Sequence, residues 1–396
     1  MYWITINRRV GAQTRGNLMI GVMRLFALWV CWGVSSVICL GSALGADGYQ
    51  RVEGPCAFSF PEDHGAHEGF RTEWWYYTGN LADANGRRFG FQLTFFRTRL
   101  TPPGASTDGE AAVSAWRTPH IYLAHMAVTD IDGNIHRFAE DTARGAVGLA
   151  GVKTEGDTVT VRVKNWTVRL APDRHELRAT AEAMTLALAL MPEKPPVAHG
   201  IDGYSRKGDR PHQASCYYSF TRLAASGTLS IDGRPVTVTG LAWMDHEYST
   251  APLDETLVGW DWFSLQLDDG TDLMLYQLRD RQGGAHAASS GTMVDPLGKA
   301  VSLNGEDFSL LPLDFWKSPD TGARYPVRWR LDIPSLGMAM EVSAPVAAQE
   351  MRTGRSTGVV YWEGSVTATG TAGEKPVQGR GYLEMTGYAG AFDAPL

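Results

Sequence analysis

Short runs with an apolar residue at every second position, separated by Asx-Gly turns, fill this chain almost from end to end. "RRFGFQLTFF", "DTVTVRVKNWTVRL", "RPVTVTGLAW", "TDLMLYQL", "RYPVRWRLDI", "MAMEVSA" and "GRGYLEMTGY" all read as strands. "DANGR", "DIDGN", "SIDGR" and "DDGTD" are hairpin turns, because Asn-Gly and Asp-Gly tolerate the positive φ that tight turns need. "ELRATAEAMTLALAL" is compatible with helix or strand and is left unassigned. Many short strands in a long chain predict an all-β protein of sandwiches or barrels. "EWWYYTGNLADANGRRFGFQLTFF" and "GWDWFSLQLDDGTDLMLYQL" are similar aromatic hairpins and suggest two related units. We place these at 47–226 and 227–396, the second beginning near Gly227 to Thr239, since the length exceeds what one core usually holds.

The first 46 residues read as a secretory signal peptide. Arg8, Arg9, Arg15 and Arg24 precede the apolar run Leu25 to Leu40 and the small-residue stretch "GSALGA". That run is shorter than the roughly 20 residues of a membrane span. Cleavage is expected near Gly45 or Ala46, with Met19 or Met23 as alternative starts, and the mature chain is expected in the periplasm or outside the cell. Without the leader the net charge falls from −7 to −11, which argues against a nucleic-acid partner. Two cysteines then remain, Cys56 and Cys216. An exporting compartment permits a disulfide between them, and two buried thiols are equally compatible.

The most unusual residues stand in "WMDHEYS" and "GWDWF". Alternation along a strand aligns Gly259, Asp261, Phe263, Leu265 and Leu267 on one face, opposite Trp260 and Trp262. It also aligns Val238, Gly240, Ala242, Met244 and His246, leaving Asp245 and Glu247 on the other face. Asp261 and His246 are therefore expected to point inward. Desolvation raises the pKa of an inward acid and suits it to general-acid work. The structural alternative is that the two form one satisfied buried pair.

"TEWWYYTGNL" is aromatic on both faces, so something must cover both. Glu73 and Arg97 are placed to meet as a buried ion pair if the hairpin register aligns them. His125, in "YLAHMAVTD", lies on a strand and reads first as a core histidine. Asp63, His64 and His67 are spaced as a metal grip, but no cysteine or further spaced histidine supports one, and no metal is expected. "NWT" at Asn165 is a glycosylation triplet. No Gly-x-Ser-x-Gly elbow or phosphate-binding glycine loop is present, which disfavours serine hydrolases and nucleotide enzymes.

"DHGAHEGFRTEWWYYTGNL", "FGFQLTFFR", "AHMAVTD", "WMDHEYS", "GWDWFSLQLDDG", "YWEG" and "GYLEMTGY" together resemble the exported AttH-type lipocalin-like proteins, relatives of carotenoid 1,2-hydratase (hydroxyneurosporene synthase). The resemblance implies two tandem lipocalin-like β-barrel domains with a hydrophobic ligand cavity, and an ABC-type exporter as a possible partner. The hydratases carry Asp-His-Asn-Trp-Gly and then Tyr-Trp-Asp. Here Asp245, His246, Glu247, Tyr248 and Ser249 are followed by Gly259, Trp260 and Asp261, so Tyr248 replaces Trp and Gly259 replaces Tyr, leaving more room. The implied roles are Asp261 as acid, His246 orienting or deprotonating water, and Tyr248 steadying a cation. Trp74, Trp75, Trp243, Trp260, Trp262 and His125 would contact the ligand. The expected function is binding of an isoprenoid or lipid-like ligand, with hydration of a carbon–carbon double bond that calls for no cofactor. The alternative is a lipid carrier serving an exporter; a hydrolase would need a nucleophile that is not evident.

Overall fold

A computed structural model describes residues 45, 47–105, 114–251 and 253–392. The expected leader lies outside them apart from Gly45. Among the described residues the only helical pieces are the 3-10 turns Glu62–His64 and Pro334–Leu336. All else of regular structure is strand, in one sheet of thirteen and one of ten. The unassigned "ELRATAEAMTLALAL" is a hairpin of strands Arg174–Ala181 and Met184–Pro192. Met184, Leu186, Leu188 and Leu190 are buried at every second position, and that period of two decides for strand.

Both sheets are built on one plan. In the first, strand Thr72–Ala82 pairs with Arg88–Arg99 on one side and with the sheet's last long strand, Arg234–Ser249, on the other. In the second, Leu257–Leu267 pairs with Asp272–Asp280 and with the last strand, Lys375–Met385. First-to-last pairing curls each sheet into a barrel-like, lipocalin-like wrap. The two aromatic hairpins occupy equivalent positions.

The chain changes sheet between Ser249 and Leu257, not at Gly227. Ala214–Ile231 and Arg234–Ser249 form a single hairpin of the first sheet. It turns at Asp232 and Gly233, whose φ values of 50° and 74° an Asx-Gly pair accepts. The apparent start of a second unit is the returning arm of the first.

Each sheet wraps its own core. Trp75, Tyr77, Phe89 and Phe91 fill the first, and Phe263, Leu265, Trp329 and Trp362 the second. A third apolar cluster, including Tyr76, Tyr217, Trp243, Trp262 and Tyr276, lies between the sheets. The aromatic strand is thus covered on both faces, as its composition requires. Buried polar links reinforce the junction: Asp272 accepts from Lys194 Nζ (2.7 Å) and Arg222 Nη2 (2.7 Å), and Trp262 Nε1 donates to Tyr217 Oη (3.1 Å). Cys56 and Cys216 are joined in a disulfide across 160 positions. This resolves the two readings of that pair and ties the N-terminal segment to the strand that carries Tyr217.

Candidate active site

A cavity of about 190 Å³ lies between the outward faces of the two sheets. Its floor is a rung of paired residues, His125, Thr94, Tyr76 and Asp245, one from each of four adjacent strands of the first sheet. The next rung is Phe96, Trp74, Glu247 and Tyr217. The roof is a rung of the second sheet, Glu363, Glu384, Trp262 and Tyr276. Directly paired side chains are close neighbours, with Cβ atoms about 4.5–5.5 Å apart.

Two carboxyl groups therefore face each other at Glu363 and Glu384 in a chamber rich in aromatic side chains, and like charges opposite one another are unfavourable. Burial, then the charge of Glu384, pushes Glu363 well above the usual carboxyl range. The Tyr76 and Tyr361 hydroxyls approach closely enough to oppose that rise. Yet among the described residues neither Glu363 oxygen has a hydrogen-bond partner, and the Tyr76 hydroxyl has none either. Glu384 differs because Trp260 Nε1 donates to its Oε1 (2.9 Å). Burial raises Glu384 to about 7, with the Trp260 bond pulling the other way. The pair thus divides its roles: Glu363 keeps the proton and Glu384 carries the charge when one forms.

Asp245 is a hydrogen-bond hub. Trp243 Nε1 donates to its Oδ1 (2.6 Å), Tyr217 Oη to its Oδ2 (2.9 Å), and the Ser219 hydroxyl to Oδ1. Burial nevertheless pushes it up to about 7 against those donors. Glu247 pairs with Lys207 Nζ at 3.0 Å and accepts the Ser215 hydroxyl. Lys207 comes from the Pro- and Gly-rich excursion after Met191 and caps one wall, with its ammonium 4.1 Å from the centre of the Tyr276 ring.

His246 and Asp261 do point inward and both are fully buried, but into different sheets, and they do not meet. His246 bonds Tyr218 Oη (2.9 Å) and Glu73 Oε1 (2.9 Å) and stacks on Trp75. Asp261 lies 3.0 Å from Arg279 Nε and accepts from Tyr388 Oη (2.9 Å). Burial raises it to about 6, against the Arg279 charge. Neither lines the cavity, because the residues that do sit on the opposite faces of the same two strands. Tyr248 stacks on His67, with ring centres 3.5 Å apart, and is also outside it. Of the aromatic candidates, Trp74, Trp260, Trp262 and His125 line the cavity. Trp75 is in the first core, donating to His64 O, and Trp243 supports Asp245 from behind. Gly259 does not leave room, since a Cβ there would lie 2.4 Å from Thr386 O. Backbone fills that space.

Glu73 and Arg97 are aligned by register and joined at 2.7 Å, both fully buried. His67 bridges Asp63 (2.8 Å) and Glu73 (2.7 Å), whereas His64 bonds Tyr218 instead. His67, Glu73 and His246 hold ligating atoms within 4.8 Å of one another. Ring–carboxylate hydrogen bonds and the Arg97 guanidinium already occupy the Glu73 oxygens, which makes this an ion-pair network. Burial opposes charge on His67, but Glu73 and Asp63 outweigh it and raise the ring to about 9. A raised histidine stabilises the fold fully below its unfolded value of about 6.5 and loses that contribution as pH climbs through the folded value. The melting temperature should therefore decline between about pH 6.5 and 9. His67→Gln should flatten that decline in a thermal scan, and an unchanged slope would rule the network out as its source.

The sequence pattern does not single out Glu363, Glu384 or Lys207 as site residues, and it shows Asp245 and Glu247 only as facing away from His246. Their signal is an acid set among apolar residues in "YWEG" and "YLEM". Which two acids oppose each other depends on strand register, which no single strand carries.

The fold and the chamber define a two-sheet, lipocalin-like protein with an acidic, aromatic cavity between its sheets. The chain belongs to the AttH-like family, whose model matches residues 51–388. It is similar to a solved chain assigned as AttH in Nitrosomonas europaea (36% identity, 85% of this chain and 99% of that one, TM-score 0.75). Kievitone hydratase from Nectria haematococca shares the fold at 14% identity (86% of this chain, 96% of that one, TM-score 0.65). In sequence, kievitone hydratase from Fusarium solani subsp. phaseoli is 25% identical over 165 residues, which span 39% of this chain and 43% of that protein.

Proposed function

We propose that this protein is a hydratase-like hydro-lyase that adds water across an isolated carbon–carbon double bond of a hydrophobic, isoprenoid-like substrate, with Glu363 as the acid. The observation that carries this reading is a buried, unpartnered carboxyl, opposed by a second carboxyl, in an aromatic cavity. The Glu363 proton adds to one alkene carbon, and the π electrons form the new C–H bond. The cation left on the more substituted carbon lies among the faces of Trp74, Tyr76 and Trp262. Water forms the C–O bond and gives its proton to Glu384, so one water is added and the carboxyl pair ends with the proton count it began with. The similarity to a protein named kievitone hydratase supports this class of reaction. A volume of about 190 Å³ is near the roughly 150 Å³ that holds a benzene ring. It suits one prenyl-sized end of a molecule rather than a whole polyene. In this reading His246 and Asp261 brace the inner sides of the strands whose outer sides line the chamber.

The test is incubation with acyclic prenyl alcohols and prenylated phenols in H₂¹⁸O. Mass spectrometry should find products heavier by one labelled water. Binding of a probe without label uptake would instead make the protein a carrier. We also propose that the protein is exported, on the leader motif together with the disulfide. The N terminus of protein from its host should then begin near Gly45 or Ala46, and an intact leader would overturn this.

A further inference from the structure

We infer that Tyr361, His125, Ser356 and Glu140 form a path through which the proton of the cavity acid Glu363 exchanges with solvent; this rests on the reading of Glu363 as the acid. Glu363 is fully buried. Two positions before it on its strand, the Tyr361 hydroxyl bonds His125 Nδ1 (2.8 Å). On the other side of the ring, His125 Nε2 bonds Ser356 Oγ (2.8 Å). Ser356 donates to Glu140, which also accepts the backbone N–H of Arg355. Glu140 lies on the edge strand Ile135–Arg144 and is partly exposed. The path crosses from one sheet to the other through the loop that carries Ser356.

The direction of every hydrogen bond follows from its outer end. A carboxylate can only accept, so Ser356 gives its hydrogen to Glu140 and must accept from His125 Nε2–H. The ring's other nitrogen then has a lone pair and accepts from the Tyr361 hydroxyl, whose oxygen is free to accept from protonated Glu363. Burial holds His125 down to about 3, so the ring is neutral and has the one N–H that this order requires. Three links are closed. At the fourth, Tyr361 and Glu363 stand two positions apart on one face of strand Val360–Ala372 and both line the cavity without a hydrogen bond between them, so the transfer waits on a side-chain rotation that brings hydroxyl and carboxyl together. One concerted shift breaks the Glu363 O–H bond and forms one on Tyr361. The Tyr361 hydrogen passes to Nδ1, the Nε2 hydrogen to Ser356, and the Ser356 hydrogen to Glu140. The imidazole is left neutral in its other tautomer, Glu140 exchanges its hydrogen with water, and the reverse shift returns one hydrogen to Glu363. A purely architectural His125 would need neither the outward ordering nor an unpartnered acid beside its inner end.

The experiment needs no substrate. Infrared spectra of wild type and Glu363→Gln identify the protonated Glu363 carboxyl band as the one lost in the variant. Transfer into D₂O then follows the shift of that band with time. Ser356→Ala removes one hydroxyl, and His125→Gln keeps hydrogen bonding but cannot pass a proton; each should slow the exchange by about 100-fold. A band that exchanges as fast in both variants as in wild type overturns the path and leaves Glu363 as the acid. If no band is lost in Glu363→Gln, Glu363 carries no proton, and the path falls together with the proposed hydratase function.

Discussion

Glu363→Gln should lower hydration by roughly 10²–10⁴-fold while making the protein more stable at neutral pH. Both effects have one cause. The fold holds a carboxyl whose charged form is excluded by burial and by Glu384. A carboxyl with a raised folded pKa contributes fully below its unfolded value of about 4.5, and that contribution is lost as pH rises toward the folded pKa. Keeping the proton on Glu363 at pH 7 therefore costs about 3 kcal/mol relative to an unfolded chain free to ionise. Glutamine has nearly the same shape and no such cost. The melting temperatures of wild type and variant should converge near pH 4.5 and separate as pH rises, with the variant higher. Urea titration at several pH values reads the difference directly. A variant less stable than wild type at pH 7 would mean that Glu363 is ionised in the fold, and the acid assignment would fail.

Glu73→Gln should be the most damaging single polar substitution in the first sheet, at about 3–5 kcal/mol. Glu73 accepts from Arg97, His67 and His246 at once, and both it and Arg97 are fully buried. Removing its charge leaves the Arg97 guanidinium uncompensated in the core and the His67 ring with Asp63 as its one remaining carboxylate partner, a larger loss than the ion pair itself is worth. Replacing the pair together, with Glu73→Leu and Arg97→Met, should restore much of the loss because no unpaired charge remains. Chemical denaturation of the single and double variants decides this. A double variant as unstable as Glu73→Gln would show that packing, not charge, sets the cost.

The side-chain directions were legible from single strands. Alternation predicted that His246 and Asp261 point inward and that Asp245 and Glu247 point away, and both hold. It could not say that the cavity lies on the outward side. An outward polar residue normally meets water, and here a second sheet covers it. The same limit explains Trp75, expected among the ligand contacts, and Tyr248, which the resemblance implies would steady a cation: both lie on the inward faces of their strands and outside the cavity.

Local chemistry in the chain determined the strands, the Asx-Gly turns, the burial of both faces of "TEWWYY" and the register that joins Glu73 to Arg97, since each depends on neighbours in sequence or across one tight hairpin. Only the tertiary structure brought Glu363 opposite Glu384, set both against Tyr76 and Asp245, and ran His125 out to Glu140. Those contacts arise from pairing first strands with last strands and from packing two curled sheets face to face, over separations at which no local periodicity persists.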